Sequence, residues 1–145
     1  MTKLPSLARA RWLKEPSLQK VFALVAGAGG EARVAGGAVR NALLGEPIGD
    51  IDVATTLGPQ EVMTAFKAAG ISVHPTGIEH GTVTAVVDHK PYEITTLRRD
   101  VETDGRRAVV AFTDDWKADA LRRDFTINAL YCDATGKIHD YVGGY

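Results

Sequence analysis

Two carboxylates stand two residues apart in Gly49-Asp50-Ile51-Asp52-Val53, among β-branched apolar residues. On a strand, alternate side chains share a face, so Asp50 and Asp52 would project together, roughly 7 Å apart at their Cα atoms. Ile51 and Val53 would then point the other way, into a core. Paired acids repel each other unless something neutralises them, and a divalent cation bound by hard oxygen donors does so. Just upstream, Val34-Ala35-Gly36-Gly37-Ala38-Val39-Arg40 sets a double glycine before an arginine-bearing apolar segment. Exposed backbone N–H groups, a helix start and a guanidinium suit phosphate oxygens. Metal and polyphosphate together point to nucleotidyl transfer.

In that chemistry two metal ions held by shared carboxylates polarise the α-phosphate, activate an attacking hydroxyl and stabilise the departing pyrophosphate. A third carboxylate often assists. Glu93, in Tyr92-Glu93-Ile94-Thr95-Thr96-Leu97-Arg98, is the best candidate because it too sits among strand formers. Farther on, Arg122-Arg123-Asp124-Phe125-Thr126-Ile127-Asn128 spaces Asp124 and Asn128 at i, i+4, one face of a helix. That pair could hydrogen-bond ribose hydroxyls, with Arg122 or Arg123 near the phosphates or the base.

Each feature has a plainer reading. The two aspartates could be surface acids on an edge strand, the glycine pair a tight turn, Glu93 a cross-strand charge partner and the arginine pair a solvated helix face. It is their order along one chain that favours chemistry. His74, His80, His89 and His139 show no metal-ligand spacing and read as structural or exposed, with His80 the one that could approach the site. Trp12 and Trp116 read as packing residues. Gly27-Ala28-Gly29-Gly30-Glu31-Ala32 fits the dinucleotide G-x-G-x-x-A pattern literally, but it follows a helical segment and opens no helix, so a Rossmann site is rejected.

The elements that must position these residues follow from periodicity. Residues 6–28 carry apolar positions at helical spacing, divided by Pro16 into two short helices, the second capped near Glu15 or Ser17. Arg33 to Ala35 reads as a strand, Ala38 to Leu44 as a helical turn or two, and Asp50 to Ala54 as a second strand. Pro59 to Ala69 is the cleanest helix, with proline at its start and Gly70 after its end. Ile71 to His74, Thr82 to Asp88 and Tyr92 to Leu97 read as strands, with His89-Lys90 the hairpin turn between the last two. Arg98 to Thr113 is polar and reads as a mobile excursion. Asp115 to Leu130 returns to a helical pattern, and Leu130 to Asp133 with Lys137 to Asp140 closes a final hairpin. The class is therefore α/β or α+β.

The chain's 145 residues are one domain's worth, and an apolar share of 45% is enough for a sizeable core. A formal net charge of −1 argues against a surface that grips nucleic acid throughout; any RNA contact must be local or lie in a part not present. One cysteine, Cys132, excludes an internal disulfide framework, reads as a core residue and fits a reducing cytoplasm. No apolar run approaches the roughly 18 residues of a membrane span, and the N-terminus shows no apolar h-region. The expectation is a soluble cytoplasmic protein with no membrane partner.

Taken together, these segments resemble the head domain of the class II tRNA nucleotidyltransferases, the CCA-adding enzymes, and of the related bacterial poly(A) polymerases. Val34 to Asn41 through Gly49 to Thr55 is similar to the family's first motif. Glu79-His80-Gly81-Thr82-Val83 and Tyr92 to Arg98 are similar to its next two strands and third carboxylate. Asp119 to Leu130 is similar to its ribose-sensing motif. Asn41 stands where aspartate is commoner after the arginine. The resemblance covers residues 33–145 and implies a nucleotidyltransferase fold, with a mixed sheet of about five strands and helices on one side. It also implies transfer of CMP and AMP from CTP and ATP to the 3′ end of tRNA, with Mg²⁺ (or Mn²⁺) and release of pyrophosphate. Asp50 and Asp52 would bind metal with Glu93 assisting; Gly36, Gly37 and Arg40 would hold the triphosphate; Arg123, Asp124 and Asn128 would meet the ribose. Residues 1–30 read as an N-terminal helical segment and 31–145 as the catalytic head. The family's neck, body and tail, which carry the base-reading template, are expected to be absent, leaving a truncated or split protein with weak or no full activity alone. Alternatives are a poly(A) polymerase head and a non-catalytic nucleotide- or RNA-binding module of the same fold.

Overall fold

The computed structural model of the chain describes residues 6–7, 9–46, 51–77, 80–103, 107–123 and 129–141. Its elements are α1 (Pro16–Gly27), β1 (Ala32–Ala35), α2 (Gly37–Leu43), β2 (Asp52–Thr55), α3 (Pro59–Ala68), β3 (Ser72–Gly77), β4 (Thr82–Val87), β5 (Lys90–Thr96), β6 (Arg98–Thr103), β7 (Arg107–Phe112), α4 (Trp116–Leu121), β8 (Leu130–Cys132) and β9 (Ile138–Asp140). Seven strands form one mixed sheet in the order β3-β4-β5-β2-β1-β8-β9. Only the β2–β5 pair is parallel; the other neighbours run antiparallel.

Alternation decides what each strand buries. In β4, Val83, Ala85 and Val87 are buried while Thr82, Thr84 and Val86 stay half-exposed. The buried set meets α1 and α3, whose Leu18, Val21, Phe22, Val25, Val62 and Phe66 form the main core with Val34, Val53 and Ile94. Fully burying a side chain such as Phe66 contributes about 1.5–3 kcal/mol. Pro59 opens α3, and Glu61 Oε1 accepts from the Gly58 N–H at 3.2 Å, satisfying one of the helix's orphan donors. Pro16 likewise opens α1, but Arg11 to Lys14 form a turn instead of a first helix.

The opposite face is only partly covered. Trp116 and Ala120 of α4 pack with Ala35, Ala54, Leu97, Ala129 and Tyr131 in a second, smaller cluster. Helices therefore lie on both faces, not one, because the short apolar stripe of α4 needs a partner and the β1–β8 end of the sheet supplies it. The sheet has seven strands where the resemblance implied about five. The rest of this second face, over β2, β4 and β5, carries the polar residues considered next.

Three further expectations change. Within the expected excursion, β6 and β7 pair as a two-stranded ribbon, registered from Arg98↔Phe112 to Thr103↔Arg107. The helix expected over Asp115 to Leu130 ends at Leu121, and Leu130 already belongs to β8. The β4–β5 turn falls one residue earlier, at Asp88-His89, both with positive φ (52° and 67°) as a tight two-residue hairpin requires. No helix among the described residues is long and apolar enough to cross a membrane.

Candidate active site

Parallel pairing of β2 with β5 sets Asp52 directly beside Glu93. Adjacent strands lie about 4.8 Å apart, so two acids 41 positions apart in sequence become neighbours on one face. Register also aligns Thr84 with Glu93 and Thr82 with Thr95, and the last two hydroxyls meet at 3.1 Å. Asp52 and Glu93 are both exposed. They open onto a cleft of about 270 Å³ that Arg98 and Arg123 also line. Two adjacent carboxylates offer hard oxygen donors that fit Mg²⁺ or a similar cation. Among the described residues no group of three or more potential ligands gathers. Asp50, the expected partner of Asp52, lies outside the described residues, as do Asp124 and Asn128.

The cationic wall is built on Asp119, which is 3% exposed. Its carboxylate accepts from the Arg98 backbone N–H (2.9 Å), from Arg123 Nη2 (3.0 Å) and Nε (3.3 Å), and from the Tyr131 hydroxyl (2.6 Å). Asp115 caps α4 by accepting from the Lys117 and Ala118 N–H groups, which fixes the turn of helix that carries Asp119. The Arg123 guanidinium lies 5.4 Å from the Tyr131 ring centre, and Trp116 meets that ring edge-on at 5.0 Å. Burial pulls the Arg123 pKa down, but Asp119 and Tyr131 outweigh it and the net shift is upward. Burial first, then Asp119, pushes the Tyr131 phenol far above its usual range, so it stays a donor. Sequence reasoning quoted Asp119 only within a motif and missed Tyr131 altogether. The i, i+4 spacing of Asp119 and Arg123 was the available signal.

The glycine pair lies where expected, between β1 and α2. Gly36 adopts φ 67° and ψ −128°, a conformation strained for any side chain, and Gly37 begins the helix. Arg40 Nε donates to Asn41 Oδ1 at 3.2 Å, so asparagine keeps a contact with the arginine. The rejected dinucleotide pattern is the turn from α1 into β1, in helix-to-strand order. His80 is exposed, His74 bonds Ser72, and His139 bonds Asp133. Cys132 and Trp116 are buried, and Trp12 packs partly buried against the main core.

The profile of the family described as "Poly A polymerase head domain" matches residues 32–145. A human protein named CCA tRNA nucleotidyltransferase 1, mitochondrial, is 50% identical over 116 residues, covering 79% of this chain and 27% of that protein. The CCA-adding enzyme of Enterococcus faecalis is 47% identical over 118 residues, covering 80% of this chain and 28% of its own length. The crystal structure of the Bacillus stearothermophilus CCA-adding enzyme in complex with CTP superimposes with a TM-score of 0.76 at 39% identity, covering 90% of this chain and 31% of that one. The chain thus spans less than a third of the length of each of these relatives. With a match over most of its length, it belongs to the poly(A) polymerase head-domain family.

Proposed function

We propose that this chain is the catalytic head of a tRNA nucleotidyltransferase that transfers CMP and AMP from CTP and ATP to the tRNA 3′ end, releasing pyrophosphate. The observation that carries the reading is the in-register pair Asp52 and Glu93, which share one cleft with Arg98 and Arg123. The relatives' names support CCA addition, and one similar structure, at 30% identity and a TM-score of 0.65, is of a tRNA nucleotidyltransferase with a primer tRNA and an incoming ATP analogue.

On this reading Asp50 and Asp52 hold Mg²⁺ and Glu93 assists. The bound metal would supply Lewis-acid activation of the α-phosphate and of the attacking hydroxyl. Gly36 and Gly37 bring main chain close to the triphosphate, Arg40 neutralises it, and Arg123 stands by the ribose and the phosphates. Asp124 and Asn128 hydrogen-bond the ribose. Thr82 and Thr95 keep the floor of the cleft polar between the acids and the arginines. Residues 31–145 act as the head and 1–30 as its helical preface, whose α1 shares the main core. We read the chain as cytoplasmic, which a single cysteine allows; Cys132 is buried with its thiol pushed up to about 12 and stays protonated.

Incubating the chain with labelled CTP or ATP, Mg²⁺ and tRNA lacking its 3′ CCA tests the proposal. Label at the tRNA 3′ end, absent with Asp52→Ala, is the expected result. A long adenosine run would instead indicate poly(A) synthesis. No label, with nucleotide bound equally well with and without Mg²⁺, would mark a non-catalytic module.

A further inference from the structure

Arg98 is a cation whose charge the described residues answer only in part. Its backbone N–H is tied to Asp119, which fixes the start of β6 at the edge of the cleft. Its side chain lines that cleft beside Asp52, Glu93 and Arg123. The Nε atom is buried and has no hydrogen-bond partner among the described residues. Burial lowers the Arg98 pKa, and Arg122 and Arg123 add to that while Asp119 opposes it. Asp119, however, already accepts from Arg123 and Tyr131 as well as from the Arg98 main chain.

An unsatisfied buried donor is unfavourable, and more so when charged. Two arginines on one wall add mutual repulsion. A phosphate relieves both, because its oxygens match the guanidinium fork and its charge lies between the two cations. We propose that Arg98 binds a phosphate oxyanion alongside Arg123, in the cleft they share with Asp52 and Glu93. Which molecule carries the phosphate rests on the nucleotidyl-transfer reading, which favours the triphosphate of the incoming nucleotide over a phosphodiester of the RNA.

Equilibrium binding of the whole chain to ATP, to inorganic pyrophosphate and to a short RNA, each with Mg²⁺, tests the site. Arg98→Ala should weaken ATP and pyrophosphate at least tenfold with the melting temperature held. Arg98→Lys, which keeps the charge and loses the fork, should fall between. A tenfold loss confined to RNA would keep the phosphate site and assign its carrier to the RNA backbone. Unchanged binding of all three probes, or a parent chain that binds none of them, would overturn the inference. The readout does not depend on turnover. A parent chain that binds pyrophosphate through Arg98 no better with Mg²⁺ than without it would sink the metal-dependent transferase reading and leave the phosphate site standing.

Discussion

Asp52 and Glu93 reach the cleft through backbone pairing, whereas Arg98 and Arg123 reach it around a buried carboxylate. The acids sit on adjacent parallel strands and are exposed, so the main-chain ladder sets their spacing whatever the side chains are. On the cationic side, Asp119 gathers a main-chain amide, a guanidinium and a phenol, and Trp116 and Tyr131 pack behind it. One wall separates chemistry from stability; the other joins them. A group placed by register, or held like Arg98 only through its main chain, can be altered without disturbing the fold, but Asp119 and the side chains bonded to it cannot.

The largest expected effect lies on the acid wall. Asp52→Ala or Glu93→Ala should reduce nucleotide incorporation roughly 10²–10³-fold or more, as loss of one electrostatic stabiliser typically does. Thermal unfolding of Glu93→Ala should stay level or shift slightly upward, since like-charge repulsion with Asp52 is relieved. A melting temperature that collapses with Glu93→Ala would break the contrast between the walls. Asp119→Ala should do the reverse, destabilising the fold by about 3 kcal/mol because Arg123 loses its buried counter-charge. For a chain of this size that is a fall of roughly 10 °C in the melting temperature, readable by calorimetry, and nucleotide affinity should fall with it. Tyr131→Phe should be milder. It removes one hydrogen bond to a charged group, worth about 1.5–3 kcal/mol, and keeps the ring against Trp116. If Tyr131→Phe matches Asp119→Ala in denaturant titration, the phenol and not the arginine is the main support.

How much of this was legible in the sequence follows the same division. Asp52 and Glu93 were visible because strand formers surround them, and alternation says which face a residue takes. What alternation leaves open is which strands become neighbours. The order β3-β4-β5-β2-β1-β8-β9 depends on packing between distant segments, so only the structure brings Glu93 to Asp52. In sequence Arg98 opens the polar excursion, because the charges of Arg98 to Arg107 mask the apolar Val109, Val110 and Phe112 of the ribbon. The expected helix to Leu130 overshot for a similar reason. Leu121, Phe125 and Ala129 keep a helical rhythm in sequence, yet Leu121 is exposed and Leu130 pairs in β8. Asp119 held the clearest unread signal, a carboxylate one helical turn before an arginine.

The smallest expected effect concerns the far support of the cationic wall. Tyr131 lies on β8, and the β8–β9 hairpin is tied by Asp133, which accepts from the Thr135 and Lys137 N–H groups, the Thr135 hydroxyl and His139. Burial alone would push this carboxyl up, but those hydrogen bonds outweigh it and hold the pKa at about 2, against a usual 3.8. A carboxyl depressed in the folded state stabilises the fold above its unfolded pKa, and that contribution is lost as pH falls from about 4 toward 2. Asp133 is partly solvated, so the effect is modest. Denaturant midpoints at pH 7, 4 and 2.5 should therefore drop more steeply over the acid interval in the parent chain than in Asp133→Asn, which lacks the titrating group. The acid wall should show no matching dependence on this hairpin, because β2 and β5 do not pair with β8 or β9. Parallel midpoints for the two chains would mean that the Asp133 hydrogen bonds do not hold the hairpin, and that Asp119 supports the arginines without help from beneath.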